Sequence, residues 1–538
     1  MEEQIRSAIS RALRQIGAPE NKFSIERPVE MVRGDYATNA AMTVARSIGG
    51  ATKIADKLAR ILIDELGKDV ASHITVAGPG FVNITLAREA VALVVSEADT
   101  KGGEWGKGNA EDGKRIIAEY TDPNPFKEMH IGHLMSNAIG ESIARLLEAS
   151  GAIVSRANYQ GDVGVHVAKA IWGKKQEPKF SWGEAYTFGS EQYDSHKEEI
   201  DALNKVIYDK SDPAVNALYD EGRAESLEHF ENIYKILGTK FVFYFFESEV
   251  GLIGLDIVKK HPEIFEESEG ATVFKGEPYG LHTRVFINKM GLPTYEAKEL
   301  GLMEAKKQKG DFDIFLTITA NEIREYFNVV RKTAELIFPD VAKKIQVRFH
   351  GFLKLTTGKM SSRKGNVITA AGFIKEIIEK ASEKNADPLI AEQVAVGAIK
   401  YMILRQAPGS DIIFDPEKSL SLEGDSGPYL QYALVRAKKI LAYGDSSASG
   451  TEKPSEPYAV ERLIVHYPEV VARAARELAP NILVTYLTEL AGAWNAFYAT
   501  EQILGSTEEE YKQRVARAFA NTMTNGLALL GIPAPERM

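Results

Sequence analysis

Apolar positions change their period several times along the chain, and each change predicts an element. The opening stretch, "MEEQIRSAISRALRQIGAPE", has the spacing of an amphipathic helix with both charge signs on its polar face. Residues 51–67, "ATKIADKLARILIDELG", repeat at helical spacing and close on a glycine, where a helix ends most readily. "HITVAGPGFVNITL" (73–86) alternates, is rich in β-branched residues and turns at Gly-Pro-Gly. Together these predict a small α+β domain over residues 1–110. The polar, aperiodic "KGGEWGKGNAEDGK" (101–114) carries five glycines and predicts a linker.

After it the pattern resets. "RIIAEY" (115–120) is a short apolar run, the mark of a buried strand, and "TDPNPFKEM" (121–129) is a turn. Ile131, Met135, Ala138, Ile139, Ile143, Leu146 and Leu147 share one helical face, which Gly151 closes. "AIVSRANY" (152–159) is the next strand. Strand, helix and strand in succession form a βαβ unit, from which doubly wound parallel sheets are built. This predicts a Rossmann-like domain over 111–380, with a charged helical insertion at about 174–270. From about 385 helical patterns dominate, including "LIAEQVAVGAIKYMILR" and "GPYLQYALVRAKKILAYG". They predict an all-α helical bundle over 381–538, with "GDSSASGTEKPSEP" (444–457) as a loop. The fold class expected is therefore multidomain α/β.

Composition narrows the possibilities. At 538 residues the chain exceeds what one core supports. It contains no cysteine, which excludes disulfides, thiolate zinc sites and cysteine nucleophiles and fits a cytoplasmic setting. There is no signal-peptide core and no run of 18 apolar residues, so no membrane partner is expected. The net charge of −10 argues against a bulk nucleic-acid coat, but local basic surfaces can still grip a shaped RNA.

Candidate chemistry sits in two places. "PNPFKEMHIGHL" (123–134) lies between a strand and the first turn of a helix, at the sheet edge where nucleotides bind. Helix N-termini favour phosphate, Gly132 permits close approach, and His130 and His133 can donate to phosphate oxygens as charge develops. "GKMSSRKGNV" (358–367) is a basic loop. Lys359 can follow a departing pyrophosphate while Ser361 and Ser362 donate.

His130-Ile131-Gly132-His133 followed by Lys359-Met360-Ser361-Ser362-Arg363 resembles the class I aminoacyl-tRNA synthetases, and the finer match is to the arginyl-tRNA synthetase family. "RGDYATNAAM" (33–42) and "AGPGFVNI" (77–84) resemble that family's N-terminal domain. "GPYLQYALVRA" (427–437) and "LLGIPAPERM" (529–538) resemble its anticodon-binding domain. The likeness covers nearly the whole chain and is thinnest over 174–270.

The resemblance implies ATP and Mg²⁺ as cofactors, L-arginine and tRNA(Arg) as partners, a monomer, and no protein-held metal. It places Pro123, Asn124, His130, Gly132, His133, Lys359, Met360, Ser361 and Ser362 around ATP. His130, His133, Lys359 and Ser361 would be the catalytic set. Arginine would meet Glu119, Asp122, Asn124, Tyr295 and Glu299. Glu119 or Asp122 would take the α-ammonium and Asn124 the carboxylate end, and Glu322 or its neighbour would complete the pocket. The family more often has Asp where this chain has Glu299. Tyr36, Asn39, Phe81 and Asn83 would face the outer corner of tRNA, although Asn39 and Asn83 also suit turns. Tyr432, Arg436, Trp494, Tyr498 and Met538 would face the anticodon. A small-molecule nucleotidyltransferase sharing His-x-Gly-His would need neither the helical C-terminal region nor the second loop. A non-catalytic tRNA-binding paralogue would have lost one of the two motifs.

Overall fold

A computed structural model describes residues 1–19, 22–355, 368–443 and 453–538. The chain begins with α1 (Glu2–Gln15), β1 (Ile25–Glu26), β2 (Tyr36–Thr38), α2 (Ala40–Ile48), α3 (Ala51–Leu66), β3 (Ala71–Ala77), β4 (Phe81–Leu86) and α4 (Arg88–Lys101). The four strands form an antiparallel sheet in the order β1-β2-β4-β3. α3 buries Ile54, Ala55, Leu58, Ala59, Leu62 and Leu66, the stripe its spacing predicts, and Gly67 ends it at φ 74°. The stretch expected to be a linker is instead built in. α4 runs into it as far as Lys101, and the Trp105 indole is buried and donates to Thr522 Oγ1 at 3.1 Å. One large aromatic outweighs the glycines around it.

The next elements are β5 (Arg115–Glu119), α5 (Ile131–Ala149), β6 (Ile153–Gln160), α6 (Val165–Gln176), α7 (Trp182–Glu191), α8 (Lys197–Asp209), α9 (Pro213–Leu237), β7 (Phe243–Phe246) and α10 (Glu247–Lys260). They continue with β8 (Glu266–Ser268), β9 (Ala271–Phe274), β10 (Arg284–Ile287), α11 (Tyr295–Gln308), β11 (Ile314–Ala320), α12 (Arg324–Ile337), α13 (Pro339–Ala342), β12 (Ile345–His350) and β13 (Leu353–Leu355). Then follow α14 (Ala370–Ser382), α15 (Pro388–Leu404), β14 (Ile412–Phe414) and α16 (Pro416–Ser419). Five of these strands form a wholly parallel sheet in the order β12-β11-β5-β6-β7. The chain starts at the middle strand, winds outward through β6 and β7, then returns to the other side through β11 and β12. The direction reverses between β5 and β11, so a crevice opens beyond their carboxyl ends. β7 falls inside the stretch read as an insertion: its aromatic run "FYFF" has strong strand propensity and pairs with β6. The inserted helices are α6–α9. They share a core of Val167, Ile171, Trp172, Trp182 and Ile200 that also takes Phe126 from the turn after β5.

The chain closes with α17 (Gly427–Tyr443), α18 (Ala459–Val465), α19 (Tyr467–Arg476), α20 (Pro480–Thr500) and α21 (Glu509–Leu529). By compactness one unit comprises Met1–Lys107, Tyr432–Val471 and Tyr486–Gly526; the other comprises Gly108–Gln431, Ala472–Thr485 and Leu527–Met538. Among the described residues no helix is long and apolar enough to cross a membrane.

Candidate active site

The first turn of α5 uses its two histidines twice. His130 is the N-cap: its Nδ1 accepts from Gly132 N at 3.1 Å, and His133 Nδ1 accepts from His130 N at 3.2 Å. With both Nδ1 atoms engaged as acceptors, the neutral rings carry their protons on Nε2. The rings stack at 3.7 Å. Burial and the Lys127 ammonium lower His130; burial, His130 and Lys127 lower His133 further. Both imidazoles are thus neutral, oriented donors at a helix N-terminus. Gly132 serves this arrangement directly. A Cβ there would lie 2.8 Å from His130 Cε1, so the glycine makes room for the capping ring. Gly132→Ala is therefore expected to displace His130 and lower kcat about tenfold or more, with little change in melting temperature; parallel kinetics and calorimetry check this.

The turn between β5 and α5 is backbone-strained. Thr121, Asp122 and Phe126 have φ of 82°, 51° and 69°, a region costly for side chains other than glycine. Surrounding bonds over-determine it. Thr121 N donates to Ser136 Oγ at 3.0 Å, Tyr159 N to Asp122 Oδ1 at 2.7 Å, and Phe126 N to Ser226 Oγ at 2.9 Å. Pro123 is buried in this turn. Asn124 lies against the next strand's exit, with Oδ1 only 2.2 Å from where a Cβ on Gly161 would stand.

Next to this turn the charges segregate. Glu119 is buried and pairs with the equally buried Lys306 at 2.8 Å, while Thr317 Oγ1 donates to it at 3.3 Å. Asp122 and Glu299 have no cationic side chain within 4 Å among the described residues. Burial and the neighbouring Glu119 carboxylate push Asp122 well above the usual carboxylate range, and the same two causes push Glu299 up to about 8. Tyr326, whose hydroxyl donates to Tyr295 O at 3.1 Å, and Tyr159 are among the groups that feel Glu299. Cations gather elsewhere in the pocket. The buried Lys298 is paired with Glu247 and lies 5.3 Å from the Tyr295 ring centroid. Lys127 lies 4.8 Å from the Tyr186 ring, and its charge is felt at His166. Burial, then Lys127, lowers His166 to about 3, with its Nε2 2.8 Å from Gly161 O. Such a distribution of charge suits a zwitterion with a second cation at its far end.

Tyr295 starts α11 with its side chain largely exposed, and Glu299 follows one turn on. Glu322 is exposed and is felt at His130 and His350; the leading charges on Glu299 are instead Glu119, Lys306, Glu247 and Glu296. From the same segment it is Tyr326 that reaches the acidic end. Lys306, Lys298, Glu247 and Tyr326 were not picked out by motif. The one available signal was the spacing of Lys298 and Lys306 along a helix that already carried Tyr295 and Glu299.

Lys359, Met360, Ser361 and Ser362 lie outside the described residues. The chain just after them is pinned to the histidine turn. Ile131 N donates to Ile368 O at 3.2 Å, Ala370 N to Met129 O at 2.6 Å, and His130 bridges Thr369.

Several positions expected to touch RNA are closed. Tyr36 is 1% exposed, its hydroxyl donating to Glu469 at 2.7 Å and its ring against His466. Trp494 is fully buried and stacks on Phe519 at 4.5 Å. Asn83 is buried, and Asn39 spends its Oδ1 on Ser24 N at 2.8 Å. Alternation and helical spacing put these residues in cores, where large aromatics stabilise most by burial. Phe81 stays exposed. Tyr432, Arg436 and Tyr498 are half-buried and come together: the guanidinium lies 4.1 Å from the Tyr498 ring and 5.4 Å from the Tyr432 ring, with Nη1 donating to Asn495 Oδ1 at 3.1 Å. Met538 is half-buried.

The model of the class I (R) tRNA synthetase catalytic domain matches residues 95–416. The DALR anticodon binding domain model matches 430–538, and the arginyl tRNA synthetase N-terminal domain model matches 3–86. The chain is 29% identical to the arginine–tRNA ligase of Treponema denticola, covering 96% of this chain and 95% of that protein. It is 28% identical to that of Halothermothrix orenii, covering 100% and 99%. In fold it is similar to the Thermus thermophilus arginyl-tRNA synthetase, with a TM-score of 0.83 at 24% identity over the full length of both.

Proposed function

Since the chain belongs to the class I tRNA synthetases of the arginine type, we infer that it ligates L-arginine to tRNA(Arg) at the expense of ATP. The observation that carries the residue-level reading is the pair of half-buried carboxylates, Asp122 and Glu299, without a cationic side chain within 4 Å among the described residues, beside a helix N-terminus bearing two neutral imidazole donors. A guanidinium is always charged and offers planar donors, so it supplies what these carboxylates lack. Arginine then lies with its guanidinium toward Glu299 and its carboxylate toward Asn124 and the histidines. Glu119, already held by Lys306, positions the floor of the pocket and is not the free acceptor for the α-ammonium.

In the first step a carboxylate oxygen of arginine attacks the α-phosphorus of ATP. A P–O bond forms to the carboxylate, the bond to the β-phosphate oxygen breaks, and pyrophosphate leaves. His130 and His133 donate through Nε2 to the α-phosphate oxygens as charge builds on them. Lys359, Ser361 and Ser362 take the pyrophosphate in this reading. Mg²⁺ would enter with the phosphates of ATP, as MgATP. In the second step the terminal 2′-hydroxyl of tRNA takes the arginyl group and AMP leaves. Tyr432, Arg436 and Tyr498 form the aromatic–cation surface suited to unpaired anticodon bases, and Phe81 offers a ring to the outer corner. The three domains at 1–110, 111–380 and 381–538 divide these roles, in a cytoplasmic monomer.

The test is ATP–pyrophosphate exchange with each of the twenty amino acids, with and without total tRNA. Exchange with arginine alone, dependent on tRNA, is the expected result. Exchange with another amino acid would remove the pocket assignment. No exchange in any combination, with tRNA still bound, would leave a binding protein.

A further inference from the structure

Two cations away from the substrate pocket bind the same pair of helix ends. Lys400, on α15, is fully buried. Its Nζ donates to Leu237 O, the last residue of α9, at 2.6 Å, and to Gly531 O, just past α21, at 2.8 Å. Arg145, on α5, donates through Nη1 to Ala528 O at 2.8 Å and through Nη2 to Gly238 O at 2.9 Å. Each cation therefore takes one carbonyl from the end of α9 and one from the end of α21. The last carbonyls of a helix are unpaired acceptors carrying partial negative charge, so cations fit them well. The fit is close: a Cβ on Gly531 would stand 2.7 Å from Lys400 Nζ. No acid pairs with Lys400 among the described residues. Burial, then the Arg145 charge, pulls its ammonium down to about 7, against a smaller opposing effect of Glu141. A hydrocarbon side chain would occupy the same space without that cost. What the lysine adds is the pair of carbonyl bonds.

Arg145 ties this joint to the histidines. It sits on the same helix as His130 and His133, its Nε donates to Glu141 Oε1 at 2.7 Å, and Glu141 in turn accepts from Tyr120 beside the end of β5 and pairs with Arg156 on β6. A hydrogen-bonded helix shifts as a rod, so a force at Arg145 is felt at its N-terminus. α21 lies wholly within the segment matched by the anticodon-binding domain model.

We propose that Lys400 and Arg145 are positioning residues for adenylate formation, joining the end of α21 to α5 so that an anticodon held by the C-terminal helices sets the placement of His130 and His133. The proposal rests on reading residues 430–538 as the part that grips tRNA.

The test compares wild type with Lys400→Met and Arg145→Lys, using saturating tRNA(Arg) and a tRNA(Arg) with substituted anticodon bases. Lys400→Met removes both carbonyl bonds at similar volume. Arg145→Lys keeps the charge but loses the fork, and it stands in if the first variant does not fold. In wild type the anticodon substitution should lower kcat. In the variants kcat with the natural tRNA should drop about tenfold, and the anticodon substitution should then cost nothing further. Dissociation constants for tRNA, arginine and ATP should stay within about twofold. A purely structural role would lower kcat for both tRNAs by the same factor, and that result overturns the proposal. So does a wild type whose kcat ignores the anticodon, or variants that behave as wild type. A wild type that charges neither tRNA would instead defeat the functional reading itself.

Discussion

Replacing His133 by asparagine is expected to lower kcat for arginyl-adenylate formation about 10²–10³-fold while leaving the melting temperature nearly unchanged. The two outcomes separate because His133 does two jobs with two nitrogens. Its Nδ1 accepts the N–H of His130 at 3.2 Å and so closes the capping box of α5. Its Nε2 is the oriented donor. Asparagine's amide oxygen falls near the position of Nδ1 and can keep the cap, but it has nothing at Nε2. Glutamine reverses the exchange, with an amide nitrogen near Nε2 and no acceptor near Nδ1. His133→Gln should therefore retain more activity than His133→Asn and lose more stability, about 1 kcal/mol, the usual worth of a cap. Single-turnover adenylate formation and thermal denaturation on both variants read this out. If asparagine were the more active, the histidine would matter as a cap and not as a donor.

Glu299→Gln should reduce kcat/KM for arginine about 10²–10³-fold, because a buried guanidinium left short of a carboxylate costs about 3–4 kcal/mol. Protonation gives this prediction a second axis. In the empty pocket burial and Glu119 hold Glu299 at about 8, so at neutral pH it carries a proton. Arginine needs the ionised form and lowers that value on binding. Binding therefore releases a proton below about pH 8, and the Glu299 contribution to affinity rises with pH, at most about tenfold per unit, until it levels off near 8. Asp122, raised for the same reasons, acts in the same direction. Titration calorimetry of arginine binding from about pH 6.5 to 9, in buffers of differing ionisation enthalpy, measures both slope and proton release. Glu299→Gln should lower the slope by about one proton. An unchanged slope would mean that Glu299 does not meet the guanidinium.

Periodicity read the frame of this molecule well, because strands β5 and β6 and helix α5 fall where the two short apolar runs and the apolar helical face between them predict. The histidine tetrapeptide could be placed at a strand-to-helix junction from its neighbours alone. The pocket's counter-charges were not legible in the same way. A lysine in a helix reads as a solvated charge, and only folding brings Lys306 to Glu119 and Lys298 to Glu247. Glu322 and Tyr326 lie within one turn of each other, and the sequence does not say which of them faces the carboxylates. Buried aromatics such as Tyr36 and Trp494 misled for the opposite reason. A ring that would stack on a base is equally suited to a core, and its spacing along a helix does not distinguish the two.

The left-handed residues of the turn after β5 carry a consequence for how this protein could be made sturdier. Thr121, Asp122 and Phe126 each sit where glycine would be relaxed, at roughly 1–3 kcal/mol apiece. Part of any gain from relief there is returned, since glycine also frees the denatured chain. Engineering for heat resistance would still be drawn to these positions, and it would meet a trade-off. The same three residues aim Asp122 at the pocket, seat Asn124 against Gly161 and anchor Phe126 in the inserted helices. A sequence selected only for durability would tend to relax this turn, while one selected for turnover keeps it tense.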